Sequence, residues 1–161
     1  WIGTYERIDA QLSLLRRSVP KNTLIVIVAD HGMITADPEA CIDIASEPQL
    51  MWGVANVGGE PRCVMLYGED GENPEDIAAR WRDVLGERAQ VRTRRQAIEE
   101  GVYGPVDERV KSMIGDVVVS AAGSTTIVDS RTQAEKATHL PSVHGSLTYM
   151  ESDIPCLIDV A

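Results

Sequence analysis

Leu24-Ile25-Val26-Ile27-Val28-Ala29-Asp30-His31-Gly32-Met33 opens with six apolar residues in a row, four of them β-branched, and closes on a carboxylate, an imidazole and a glycine. An unbroken apolar run of this length predicts a strand buried on both faces, the kind found at the centre of a parallel sheet. In open α/β folds, ligands bind just beyond the carboxyl ends of such strands. Asp30 and His31 therefore stand where such a fold keeps its chemistry. Gly32 allows a sharp backbone turn, so neighbouring side chains can converge on one point. Asp and Gly are also ordinary turn residues; the tripeptide gains specificity from the strand that feeds it.

Upstream of this stretch, Ile8, Leu12, Leu15 and Val19 recur at helical spacing, and Pro20 stops the pattern. Helix, short loop and buried strand make half of a βαβ unit. The strand that should precede the helix is missing and the chain opens on Trp1. The expectation is that these residues form the C-terminal part of a longer protein.

Downstream, residues 34–60 are rich in Pro and Gly and predict a surface excursion, anchored by Met51 and Trp52. Residues 61–115 predict a small α/β unit of their own. Arg62 to Tyr67 reads as a strand. Asn73 caps a helix that has Pro74 at its first position, carries Ile77, Ala78, Trp81, Val84 and Leu85 on its inner face, and ends at Gly86. Thr93 and Gln96 have capping-box spacing ahead of a short helix ending at Gly101, and Asp107 can cap another with Val110, Met113 and Ile114 inward. Residues 116–129 predict a hairpin and 130–138 an exposed loop. Ile154 to Ile158 predicts a last strand, placed at an edge by Pro155.

The expected fold is α/β: a mainly parallel sheet with flanking helices, plus a small inserted α/β subdomain. Residues 1–60 would supply core and metal-ligand strand, 61–115 the insertion, and 116–161 the return to the core with the hairpin and the last ligand loop.

With 43% hydrophobic residues and no Phe, the core should be mainly Val, Ile, Leu and Ala. A formal net charge of −10 repels a nucleic-acid polymer rather than collecting it. No apolar run is long enough to span a membrane, and no signal-peptide pattern precedes the first helix. Cys41, Cys63 and Cys156 fit neither a zinc finger nor a disulfide framework. Each is expected to pack as a small buried hydrophobe in a reducing compartment, which predicts a cytoplasmic location.

Three histidines occur, His31, His139 and His144, and two of them precede glycine. Asp oxygen and His nitrogen are good zinc donors. Asn22 to Met33 carries an apolar strand followed by Asp-His-Gly-Met. His144-Gly145-Ser146-Leu147-Thr148 runs on to Glu151 and then to Ile154-Pro155. Together these blocks resemble the alkaline phosphatase superfamily and, within it, the type I phosphodiesterase/nucleotide pyrophosphatase family.

That resemblance implies a hydrolase of phosphodiester or pyrophosphate bonds with two divalent metal ions, zinc, as cofactors. Asp30 and His31 would ligate one ion and His144 the other. The substrate would be a small phosphodiester or nucleotide. The family's nucleophile is a Thr or Ser beside the zinc that Asp30 and His31 bind. It precedes the Asp-His-Gly block, as do further metal ligands, on a segment absent from these residues. The partner implied is that N-terminal segment. The chain alone is expected to be inactive and to bind zinc weakly. His139 lacks the following glycine and reads as a loop histidine; Glu151 reads as a residue that supports the ligands from behind or holds the structure, rather than as a ligand. Phosphonoacetate hydrolase, a C–P hydrolase of the same superfamily, is an alternative, because its His-Gly block also runs on to a Glu and a Pro. A non-catalytic binding domain on the same fold is another.

Overall fold

A computed structural model describes residues 1–161. In chain order the elements are α1 (Ile2–Ser18), β1 (Leu24–Val28), β2 (Ile34–Thr35), β3 (Cys41–Asp43), β4 (Val54–Glu60), β5 (Cys63–Gly68) and α2 (Pro74–Leu85). Then follow β6 (Ala89–Thr93), α3 (Arg94–Glu99), β7 (Val117–Ala121), β8 (Thr126–Val128), α4 (Glu135–Thr138), β9 (Ser142–Val143), α5 (Tyr149–Ser152) and β10 (Cys156–Val160). They fall into two compact units, one of Trp1–Asp30 with Ile154–Ala161, the other of His31–Asp153.

The second unit is built on a four-stranded antiparallel sheet in the order β4-β5-β7-β6. Strand β7 lies inside it, so each face of Val117-Val118-Val119 meets its own apolar layer. Val117 and Val119 pack with Ile77, Trp81 and Leu85, while Val118 packs with Ala97 and Ile114. All three valines have no exposed surface. The sheet takes strands from residues 54–60 and 117–121 as well as from within 61–115.

Local signals set the helices that cover this sheet. Asn73 Oδ1 accepts the Glu75 amide at 3.2 Å, Pro74 occupies the first turn, and Gly86 closes α2 at φ 55°. Ile77, Ala78, Trp81 and Leu85 are buried as their spacing predicts. The Trp81 indole N–H donates to the Leu50 carbonyl at 2.8 Å, which satisfies the one polar atom of that side chain. At α3, the Thr93 hydroxyl accepts from the Gln96 amide and the Gln96 side chain accepts from the Thr93 amide, completing the capping box.

Several expectations change here. Residues 34–60 are not a surface excursion: Ile42, Ile44, Leu50 and Val54 join the core. Met51 packs against that core, but Trp52 is exposed. Strands β7 and β8 form no hairpin. Strand β7 pairs with β5 and β6, and β8 runs parallel to β3. Asp107 accepts the Arg109 amide in a turn, only a short 3-10 helix at Lys111–Met113 follows, and Met113 is exposed. Cys41 and Cys63 are half-buried and Cys156 is exposed, so none is fully enclosed.

The first unit holds α1, β1 and β10. Strand β1 pairs antiparallel with β10, from Leu24 opposite Val160 to Val28 opposite Cys156. Leu24, Val26 and Val28 are exposed. The two-sided burial expected of this strand is therefore not found within the chain, because β10 is its one ladder neighbour and no second layer covers the alternate residues. Strand β10, with Pro155 before it, pairs with β1 alone and sits at an edge as expected. Arg16 of α1 reaches Asp159 of β10 at 2.7 Å.

The α/β class stands, with sheets and five helices. Within it the ladders of this chain are antiparallel, with β3–β8 the single parallel pair. No helix is long and apolar enough to cross a membrane.

Candidate functional site

The segments leaving His31 and approaching His144 are joined by a short ladder. Strand β2 pairs antiparallel with β9, Ile34 opposite Val143 and Thr35 opposite Ser142, and the Ala36 amide extends it to the Pro141 carbonyl at 3.1 Å. His144 follows β9 directly. This ladder brings two histidines from opposite ends of the second unit together: the His31 and His144 rings are stacked, 3.5 Å between centroids and 12° between planes.

Each glycine that follows a histidine has its own steric reason. A Cβ on Gly32 would lie 2.0 Å from the Met150 carbonyl oxygen, so only glycine lets this turn lie against the 150–151 backbone. The Gly32 amide uses that closeness to donate to the Glu151 carbonyl at 2.8 Å. Gly145 sits at φ 122°, a conformation side chains avoid, and its Cα faces Glu60 and Arg62. Gly32 thus admits the Met150–Glu151 backbone, and Gly145 the neighbouring Glu60 and Arg62.

His31 Nδ1 lies 2.7 Å from the Gly32 carbonyl oxygen. A carbonyl only accepts, so this contact is a hydrogen bond when the ring carries a proton on Nδ1. A metal-bound histidine takes the same form, with one nitrogen donating to a carbonyl and the other facing the ion. Asp30 is exposed and ends the first unit, joined to His31 by the peptide bond. His139 stays with its own short helix, its Nδ1 2.9 Å from both the Thr138 hydroxyl and the Glu135 carbonyl.

The donor types are right for zinc, but their number does not complete a site. Zinc sites take three or four protein ligands, and no group of three His, Cys, Asp or Glu side chains converges in this chain.

Beneath the histidines Glu151 centres a polar network whose main partner, Arg62, sequence reasoning missed. Arg62 Nε donates to Glu151 Oε1 at 3.1 Å and Nη2 to Oε2 at 2.7 Å. Arg62 Nη1 donates to the Thr125 carbonyl. Glu151 also accepts the Ser146 amide at 3.0 Å and the Thr148 hydroxyl at 2.5 Å. Four hydrogen bonds fill the carboxylate's accepting capacity. Burial pushes the Glu151 carboxyl up, and the bonds from Arg62, Thr148 and Ser146 outweigh it, leaving the pKa below the ordinary glutamate value. The sequence carried one faint signal. Thr148-x-x-Glu151 has capping-box spacing, although here the threonine donates to the carboxylate instead of capping the backbone.

Two cavities flank these elements. One of about 180 Å³ adjoins the β2–β9 ladder, between Ala36, Cys41, Thr126, His139 and Val143. The larger, about 520 Å³, opens at the starts of α2 and α3 and shares no lining residue with the histidine pair. Its cations are already engaged, Arg94 with Asp116, Arg95 with Glu75 and Glu99, and Lys111 with Glu108.

Comparison with known proteins covers almost the whole chain. The sequence model of the type I phosphodiesterase / nucleotide pyrophosphatase family matches residues 1–147. No curated protein matches. Among solved structures, human ectonucleotide pyrophosphatase / phosphodiesterase 5 superposes with a TM-score of 0.70 at 15% identity, over 95% of this chain and 38% of that one. The murine counterpart gives 0.70 at 13% identity over the same shares. Phosphonoacetate hydrolase from Sinorhizobium meliloti 1021, in complex with phosphonoformate, gives 0.66 at 22% identity, over 96% of this chain and 38% of that one. At these identities the likeness is one of fold, and the chain spans 38% of the length of each.

Proposed function

The chain belongs to the type I phosphodiesterase / nucleotide pyrophosphatase family, and from that premise we propose that it supplies part of a two-zinc site that hydrolyses phosphodiester or pyrophosphate bonds. The observation that carries this reading is the stacked pair of His31 and His144, each from a His-Gly turn, meeting at 3.5 Å. Asp30 and His31 would hold one ion and His144 the other. When bound, such ions activate a nucleophile and neutralise the charge of a phosphoryl group.

This chain's own residues prepare the donors. The Gly32 carbonyl is placed to accept from His31 Nδ1, and the β2–β9 ladder holds both histidine turns in one register. The nucleophile proposed is a Thr or Ser from outside these 161 residues. Within them, Thr23 donates to the Pro20 carbonyl ahead of β1, and Thr35 lies in β2, so neither fits the role. A small phosphodiester or nucleotide suits the net charge of −10 better than a polymer does.

A second reading, a phosphonoacetate-hydrolase-like C–P hydrolase, draws support from the tail. His144-Gly145 runs on to Glu151 and Pro155, and Glu151 is built into the site rather than left at the surface.

Elemental analysis for zinc, together with hydrolysis assays on the full-length polypeptide, tests both. The 161-residue chain should retain less than one zinc after dialysis. The full-length protein should hold zinc and cleave a bis-aryl phosphodiester, and Asp30→Ala, His31→Ala or His144→Ala should abolish cleavage. Turnover of phosphonoacetate with no diester cleavage would favour the second reading. Unchanged zinc content and activity in all three variants would overturn both, as would no turnover of any substrate by the wild-type protein.

A further inference from the structure

We infer that Glu151, held by Arg62, is a positioning residue that sets His31 and His144 face to face. The inference deepens the proposed function and gains its catalytic meaning from it, but it stands on geometry alone.

One residue ties both histidine turns. The Glu151 carbonyl accepts the amide of Gly32, next to His31, and its carboxylate accepts the amide of Ser146, two residues beyond His144. Arg62 fixes that carboxylate through two bonds, and is itself fixed by its Nη1 donating to Thr125 and its carbonyl accepting the Ala121 amide at 2.8 Å. The Ser146 hydroxyl adds a bond to the Ala121 carbonyl at 2.6 Å. The chain of bonds thus runs from the interior of the four-stranded sheet to both turns. The left-handed Gly145 lays the His144 turn directly onto Glu60 and Arg62.

Stability alone does not account for a charge pair at this place. The Arg62 and Glu151 side chains are 0% and 1% exposed. Removing two ions from water costs so much that well-packed apolar residues often do as well or better. What an apolar pair cannot do is accept the Ser146 amide in a fixed direction. Partners lying one shell outside a metal's ligands commonly act this way, by orienting the ligands.

The test uses the 161-residue chain and needs no metal. Rings stacked at 3.5 Å shift each other's proton resonances upfield, and His31→Ala identifies the effect on His144. In the double variant Arg62→Met/Glu151→Leu, the two rings should lose that shift and move toward the resonances of exposed His139, while the amide signals of the sheet stay in place. Arg62→Met/Glu151→Gln keeps an acceptor for Ser146 and should retain the shift. Rings that stay shifted in a folded leucine variant overturn the inference. If the leucine variant does not fold, hydrogen exchange on the wild type decides. The Gly32 and Ser146 amides should be protected to a similar degree, and free exchange at Ser146 with the rings still stacked overturns it.

Zinc titration separates this inference from the function it rests on. If zinc perturbs His31 and His144 in the wild type, the leucine variant should bind about 10–100-fold more weakly; equal affinity in a folded variant overturns the inference. If zinc perturbs neither ring, the weak binding expected of the 161-residue chain stands, the metal reading is decided on the full-length polypeptide, and the ring shifts alone decide the positioning.

Discussion

Arg62 and Glu151 lie 89 residues apart in sequence and meet through two hydrogen bonds of 3.1 and 2.7 Å, with almost no exposed surface on either side chain. A pair so enclosed is costly to break from one side. Glu151→Leu alone strands a buried guanidinium and should lower stability by about 3–5 kcal/mol. Arg62→Met combined with Glu151→Leu should cost less than the sum of the two single changes, because the double variant leaves no orphan charge. Urea denaturation of the four proteins closes this cycle, and additive losses would mean that the two side chains are not coupled.

The same carboxylate governs behaviour in acid. Its folded pKa lies below the ordinary value because the bonds from Arg62, Thr148 and Ser146 outweigh the effect of burial. A group depressed on folding contributes stability that is present above its unfolded pKa, about 4.3 for Glu, and is lost as pH falls through the folded value. The wild-type melting temperature should therefore drop below about pH 4. Arg62→Met/Glu151→Gln should show a shallower drop over that range. Parallel curves for the two proteins would remove Glu151 as the cause.

Two glycines should respond oppositely to an added methyl group. Gly32→Ala drives a Cβ to within 2.0 Å of the Met150 carbonyl oxygen, so the 150–151 backbone must move and the Gly32–Glu151 bond is lost. A loss of about 1–3 kcal/mol is expected. Gly3 lies in α1 with nothing near its missing Cβ, and Gly3→Ala should stabilise by about 0.5–1 kcal/mol. Chemical denaturation of both variants gives the comparison directly.

The capping box at α3 offers an independent check of local energetics. Thr93→Ala removes the acceptor for the Gln96 amide at a residue only 4% exposed, and should cost about 1 kcal/mol. Thr93→Ser keeps the oxygen and should recover most of the loss in thermal melts.

Thiol chemistry should follow exposure and pKa. Burial pushes the Cys63 thiol above its ordinary value, despite the Ser120 contact that opposes it, and Cys156 is exposed. An aromatic disulfide reagent should label Cys156 first and the half-buried Cys63 more slowly in the folded protein than in the unfolded one. Labelling of Cys63 as fast as Cys156 in the folded protein would contradict its placement.

What could be read from the sequence was what closes over a few residues. The Asn73-Pro74 start, the Thr93–Gln96 box and the Gly86 stop each depend on bonds spanning four residues or fewer, and all three form. Strand partners could not be read the same way. An apolar run predicts two buried faces, and that pattern is fulfilled at Val117–Val119 rather than at Leu24–Val28, because an apolar layer covers each face of β7 and none covers Leu24, Val26 and Val28 of β1. The hairpin failed for a related reason: β7 was needed between β5 and β6, which left β8 to pair with β3. His31 and His144 were legible as a pair only through two His-Gly blocks that resemble a family. Arg62 had no visible mark, since nothing near it in sequence announces a carboxylate 89 residues away.

The register of β1 against β10 bears on how the chain assembles. Val28 faces Cys156, so the polypeptide leaves the ladder and returns to it at the same rung, and everything from His31 to Asp153 is topologically the loop of one hairpin. Closing a loop grows costlier only with the logarithm of its length, yet contacts this distant in sequence are slow to form in an open chain. A loop that has already folded presents its two ends close together and removes most of that delay. This topology predicts that β1 and β10 gain protection from hydrogen exchange only after the four-stranded sheet has done so.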